Sequence, residues 1–212
     1  MRQVGSVNIK LMRIGIALAV ALVAGACSNQ PPDDRDYPTR VAALRQAKDL
    51  LFQRSSTPIP ENRKAEFLPL KYYPIDAAYN VAAVLKPSTD TTIFMMPTST
   101  GQPREERRAG TLEFTLNGQQ MTLLAFVEAS APNVDRLFVP FADMTSGTET
   151  YAGGRFMDLD RTATDLYELD FNRAYIPYCY YNAAFECPYP PAENRLKVPI
   201  RAGEKVAEGD NF

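Results

Sequence analysis

The chain has 212 residues, with 23 basic against 25 acidic side chains, a formal charge of −2 at pH 7, no histidine and three cysteines. Without histidine there is no Ser-His-Asp or Cys-His nucleophile, no imidazole base and no His-bearing metal site, and without a clustered basic surface there is no nucleic-acid footprint. A Walker loop, a dinucleotide-binding glycine motif and a calcium loop are all missing, so no cofactor or metal is expected and any catalysis would fall to carboxylates, tyrosine or lysine.

The first 26 residues read as a targeting segment. Lys10 and Arg13 precede the apolar run Ile14–Ala24, which is too short to span a bilayer and fits a signal-peptide core. The run ends in Val23-Ala24-Gly25-Ala26-Cys27, which resembles a bacterial lipoprotein cleavage box. The expectation is a signal peptide over 1–26, with Cys27 lipidated and holding the protein to a membrane through its acyl chains. Ser28, where an aspartate would favour inner-membrane retention, implies the periplasmic face of the outer membrane in a Gram-negative host. Loss of the leader removes Arg2, Lys10 and Arg13 and no acid, so the mature chain is more acidic. Export also places Cys179 and Cys187 in an oxidising compartment, where they are expected to form a disulfide.

Residues 27–38, with Pro31, Pro32 and several charges, read as a polar tether. Residues 39–67 read as a helical segment. Thr39–Arg54 is predicted as a helix, with Thr39 as N-cap and Val41, Leu44, Ala47 and Leu51 on one face, and Glu61–Phe67 as a short helical turn. Residues 68–205 read as a β domain, followed by a tail over 206–212. Strands are expected over Tyr79–Leu85, Thr91–Met96, Gly110–Leu116, Arg136–Phe141, Arg155–Asp160 and Thr164–Phe171. Asn117-Gly118, set between the alternating runs Leu112/Phe114/Leu116 and Met121/Leu123/Ala125, marks a hairpin. The predicted fold is mainly β, an antiparallel curled sheet or partly closed barrel with an N-terminal helix, with only minor α+β character.

Three constellations could carry chemistry. In Phe141–Asp158, glycines 147, 153 and 154 permit tight backbone that would bring Glu149, Tyr151 and Arg155 to one rim. Arg155 then either grips a carboxylate or phosphate, oriented by Glu149 or Asp158, or forms an internal ion pair tying the glycine-rich turn to the sheet. Asp170, Asn172, Arg173 and Tyr175 either stabilise a turn or face the same cleft as Arg155. Tyr175, Tyr178, Tyr180, Tyr181 and Tyr189, interleaved with prolines, either form a contact surface or cap an open barrel end.

These blocks together resemble the bacterial family known as domain of unknown function 1684. The resemblance rests on Gly110–Gly118 (GTLEFTLNG), Leu137–Phe141, Thr145–Asp158 (TSGTETYAGGRFMD), Asp170–Tyr175 (DFNRAY), Cys179, Cys187, Pro190–Leu196 (PPAENRL) and Ala202–Lys205, and spans roughly Leu44–Lys205. Ile176-Pro177-Tyr178-Cys179 departs from the family's Asn-Pro-Pro-Cys. The resemblance implies a β-rich domain, often in envelope lipoproteins, and supplies no catalytic residues.

The leading functional expectation is a membrane-anchored binding module for a small polar, anionic or glycan ligand. Its candidate contacts are Glu149, Tyr151, Arg155, Asp158, Asp170 and Asn172. One alternative is a hydrolase using Glu149 with Asp158 or Asp170, so enzymatic activity stays open. The other is a structural or assembly protein without a pocket.

Overall fold

The structure is a computed structural model, and it describes residues 36–54, 57–131, 136–160 and 162–206. The predicted leader, Cys27, most of the tether and the tail beyond Val206 lie outside the described residues.

Helix α1 spans Tyr37–Gln53. It starts earlier than expected because Asp36, not Thr39, is the N-cap: its carboxylate accepts the Thr39 amide at 2.9 Å, and Pro38 fits the first turn. Leu44 and Leu51 are about half exposed, at 52% each, whereas Val41 and Phe52 are buried. Arg45 and Lys48 share the side of the helix that meets the body: Arg45 donates to the Tyr73 and Asn172 carbonyls at 2.8 and 3.2 Å, and Lys48 pairs with Glu204. The inward stripe therefore alternates apolar groups with cations lying on their aliphatic stems, a pattern that hydrophobic periodicity does not register. A 3-10 turn over Glu61–Arg63 and α2 (Lys64–Phe67) follow.

The strands are β1 (Lys71–Tyr72), β2 (Asn80–Pro87), β3 (Ile93–Met96), β4 (Arg104–Leu116), β5 (Gln119–Glu128), β6 (Arg136–Phe141), β7 (Arg155–Asp160) and β8 (Leu166–Asp170). Helix α3 (Tyr178–Tyr181) and β9 (Glu204–Lys205) complete the order. Seven strands form one antiparallel sheet in the order β7-β6-β5-β4-β2-β8, with β3 on β4. The end strands approach each other, so the sheet is a nearly closed barrel. Antiparallel pairing of β1 with β9 ties the front of the β domain to its end.

The hairpin turns at Asn117 and Gly118, both with positive φ (49° and 77°), as a two-residue turn matched to strand twist requires. Alternation sends Leu112, Phe114, Leu123, Ala125, Val139 and Leu169 inward. Strand β4 begins at Arg104, ahead of the expected start, because the charged run Arg104–Arg108 pairs with both β3 and β5. A second apolar cluster, of Phe52, Ile59, Phe67, Leu70, Ile176 and Tyr181, joins the helical segment to α3. The tyrosine-rich segment is thus partly helix, and it is partly core: Tyr181 is buried with edge-to-face contacts to Phe52 and Phe67, while Tyr178 is exposed.

Candidate functional site

Arg155 enters β7 after Gly154, whose φ is +87° and where a Cβ would lie 2.5 Å from the Phe141 carbonyl oxygen and 2.7 Å from Pro190 Cγ. The side chain points into the barrel with no exposure. Its Nη2 donates to Asp143 Oδ2 at 2.9 Å and to the Ile200 carbonyl at 2.7 Å. Its Nη1 donates to the carbonyls of Ala202 and Glu204. Of the two readings of Arg155, the geometry is that of an internal ion pair. The orienting carboxylate is Asp143, not Glu149 or Asp158, and the group held is the returning chain at 200–204. No outside ligand reaches this guanidinium as the protein is folded here.

The other five predicted residues separate. Glu149 lies on the surface, bound by Arg201 at 2.7 and 3.0 Å and by the Tyr73 hydroxyl at 3.0 Å; hydrogen bonds from Arg201 hold its carboxyl below the usual range. Tyr151 packs against Tyr180 with ring centres 5.4 Å apart and the planes tilted by 54°. Asp170 and Asn172 are buried and mutually satisfied. Asp170 accepts the Asn172 amide at 3.0 Å and the Tyr37 hydroxyl at 2.7 Å, and Asn172 bridges to Asp76 through its amide and carbonyl at 3.0 and 2.8 Å. Together they fix the 3-10 turn Phe171–Arg173 and dock the first turn of α1. Asp158 projects from the outer face of β7, where it accepts from Tyr175 at 2.9 Å and from Arg136 at 3.1 Å.

Asp158, Asp170 and Asn172 nevertheless border one region, centred on Arg173 and Tyr175. A cavity of about 170 Å³ lies between α1 and the turn, lined by Arg45, Lys48, Tyr72, Arg173, Tyr175 and Glu204 among others. A second, of about 160 Å³, lies across Arg173 and is lined by Arg136, Asp158, Glu168, Asp170 and Tyr175. The turn aims Arg173 outward between them. Its guanidinium is exposed and makes no hydrogen bond or ion pair among the described residues. Every other cation of the first cavity is held: Lys48 by Glu204 and over the Tyr175 ring at 5.0 Å, and Arg45 by two carbonyls and over the Tyr72 ring at 4.5 Å. Burial, and then Asp158, pushes the Tyr175 phenol far up, so it remains a neutral hydrogen-bond donor.

Arg173 was legible only as one member of a polar turn, and Arg45 and Lys48 carried no site signal. Cations borrowed from a distant helix have no mark in the sequence. Asp143, inside the Phe141–Asp158 block, was also missed, since nothing local says which carboxylate meets Arg155. Cys179 and Cys187 lie at disulfide distance, with Cα atoms 5.9 Å apart. Among the described residues no helix is long and apolar enough to cross a membrane.

The family model described as protein of unknown function DUF1684 matches residues 65–205. The solution NMR structure of an uncharacterized protein from Haloarcula marismortui is similar at 34% identity and a TM-score of 0.64, covering 81% of this chain and 95% of that one. No curated protein matches.

Proposed function

The chain belongs to the DUF1684 family, and we propose that it is a binding module for a small anionic ligand held at Arg173. The observation that carries this reading is the guanidinium of Arg173, unpaired among the described residues, at the mouth of a cavity lined by three cations and one acid. Arginine presents a planar fork suited to carboxylate or phosphate. Arg45 and Lys48 are fixed in place, so they add positive potential without an ordering cost at binding. The cavity is small, so it fits a carboxylate or phosphate group better than a whole sugar.

Calorimetric titration of the purified protein with inorganic phosphate and with citrate tests the site. Arg173→Ala is expected to weaken binding by roughly tenfold to a hundredfold, the loss of one charge-assisted interaction, with circular dichroism unchanged because the side chain is exposed. Undiminished affinity in that variant would remove the site.

The cellular setting is part of the same proposal. The leader-like segment before Cys27 supports export, lipidation of Cys27 and anchoring in the envelope, with the ligand met on the periplasmic side. Cys27→Ser is expected to move the protein from the membrane to the soluble fraction, or to leave the leader uncleaved. Membrane association unchanged in that variant would count against lipidation.

A further inference from the structure

We infer that the cleft between the outer face of β6–β7 and the segment closed by Cys179 and Cys187 is a second binding site, for a small organic ammonium cation. It encloses about 290 Å³, near the lower end of ligand-sized clefts.

Its walls are aromatic. Phe138 and Phe156 meet edge to face at 4.9 Å, and Phe156 meets Tyr175 at 5.9 Å. Across the opening, Tyr178 and Phe185 meet edge to face at 5.6 Å and are 42% and 36% exposed. These two rings are held partly in water by a short, tethered segment. Cys187 itself lines the cleft, and its amide donates to the Ser99 hydroxyl at 3.1 Å. The Tyr189 amide donates to the Pro97 carbonyl at 2.8 Å, which anchors the same segment to the chain leaving β3. The cleft is therefore formed before any ligand arrives.

The charge balance selects the ligand. Arg104 lines the cleft with its guanidinium 5.8 Å from the Phe138 ring centre, so this wall already accepts a cation over an aromatic face. Its charge is matched by Glu106, fully buried on β4 with Oε1 2.9 Å from Arg104 Nε. Asp158 is matched by Arg136. That leaves Glu186, exposed, with the Thr100 hydroxyl donating to it at 2.8 Å and no ion pair among the described residues. Five aromatic rings beside one uncompensated carboxylate attract an organic cation through ring quadrupoles and charge together. The same features repel an anion. The ligand class is thus opposite in charge to that proposed for Arg173, and the two sites stand or fall separately.

The test is a titration of the purified protein, followed by NMR, with benzyltrimethylammonium chloride, and with sodium benzoate and benzyl alcohol as anionic and neutral counterparts. The ammonium probe is expected to bind in the millimolar range and to shift signals of Tyr178 and Phe185, with benzyl alcohol weaker and benzoate weakest. Glu186→Gln and Tyr178→Ala, both at exposed positions, are each expected to weaken the ammonium probe by about fivefold. Arg173→Ala should leave its affinity unchanged. Benzoate binding as tightly as the ammonium probe, ammonium binding indifferent to both cleft variants, or no binding at all would overturn the inference. Loss of ammonium binding in Arg173→Ala would also overturn it, since the two sites would then be one.

Discussion

Replacing Arg155 with methionine is expected to lower the stability of the domain by about 3–5 kcal/mol, the range seen when one member of a buried ion pair is removed. The cause is what remains. Asp143 keeps a side chain with no solvent exposure, and its Oδ2 loses the guanidinium at 2.9 Å. The carbonyls of Ile200, Ala202 and Glu204 lose their shared donor in the same change. Methionine restores much of the volume but none of the hydrogen bonds. Asp143 Oδ1 still accepts the amides of Thr145 at 2.8 Å and Ile200 at 3.1 Å, so the carboxylate cannot simply swing into water. For a domain of this size the loss corresponds to a fall in melting temperature of roughly 10 °C. Adding Asp143→Asn to Arg155→Met should recover part of it, because the stranded charge goes while an amide oxygen still accepts from Thr145 and Ile200. Urea unfolding of the single and double variants measures both effects. A cost below about 1 kcal/mol for Arg155→Met would show that the pair does not clamp the returning chain.

Raising the pH from about 10 towards 12 is expected to unfold the protein cooperatively. Burial, reinforced by the Glu149 carboxylate, pushes the Tyr73 phenol from 10.0 up to about 12. Tyr37, Tyr72, Tyr175 and Tyr181 are pushed higher still, chiefly by burial, and each donates to a carboxylate: Asp170, Glu204, Asp158 and Glu204 in turn. Below pH 10 these phenols are protonated in both folded and unfolded chains, and their contribution to stability is constant. Above it the unfolded chain releases protons that the folded chain retains, so stability falls through this window. Phenolate absorbance from these residues should therefore rise together with the loss of β-sheet circular dichroism. A gradual phenolate signal that completes while the dichroism is intact would contradict the pairing of buried phenols with carboxylates.

The β body was legible because the runs Leu112/Phe114/Leu116 and Met121/Leu123/Ala125 alternate and Asn117-Gly118 allows one turn geometry. The N-terminal half of β4 was hidden because Arg104–Arg108 reads as a solvated charge run, although Glu106 in its middle is fully buried. The helix face was misjudged for a related reason. Leu44 and Leu51 carry the apolar signal, yet Arg45 and Lys48 make the inward polar contacts, and only tertiary packing reveals those. The candidate site was legible in part. Asp158, Asp170 and Asn172 do border the region around Tyr175, but as supports whose polar atoms are already engaged. Arg155 drew notice because a glycine-rich approach ending in arginine looks like a grip. Whether such a grip faces outward depends on the carbonyls of residues 200–204, far along the chain.

The pairing of β1 with β9, Lys71 opposite Lys205, also governs how the fold can be reached. Contacts between segments so distant in sequence come with a large loop-closure entropy and are characteristic of slowly folding β proteins. The carbonyl acceptors of Arg155, the acceptor for Lys48 and the strand that pairs with β1 all reside in the last part of the domain to leave a ribosome. A nascent chain can form the β4–β5 hairpin from local contacts, but its barrel interior holds a guanidinium answered by Asp143 alone until residues 200–204 arrive. Closure of the barrel is thus tied to completion of the domain.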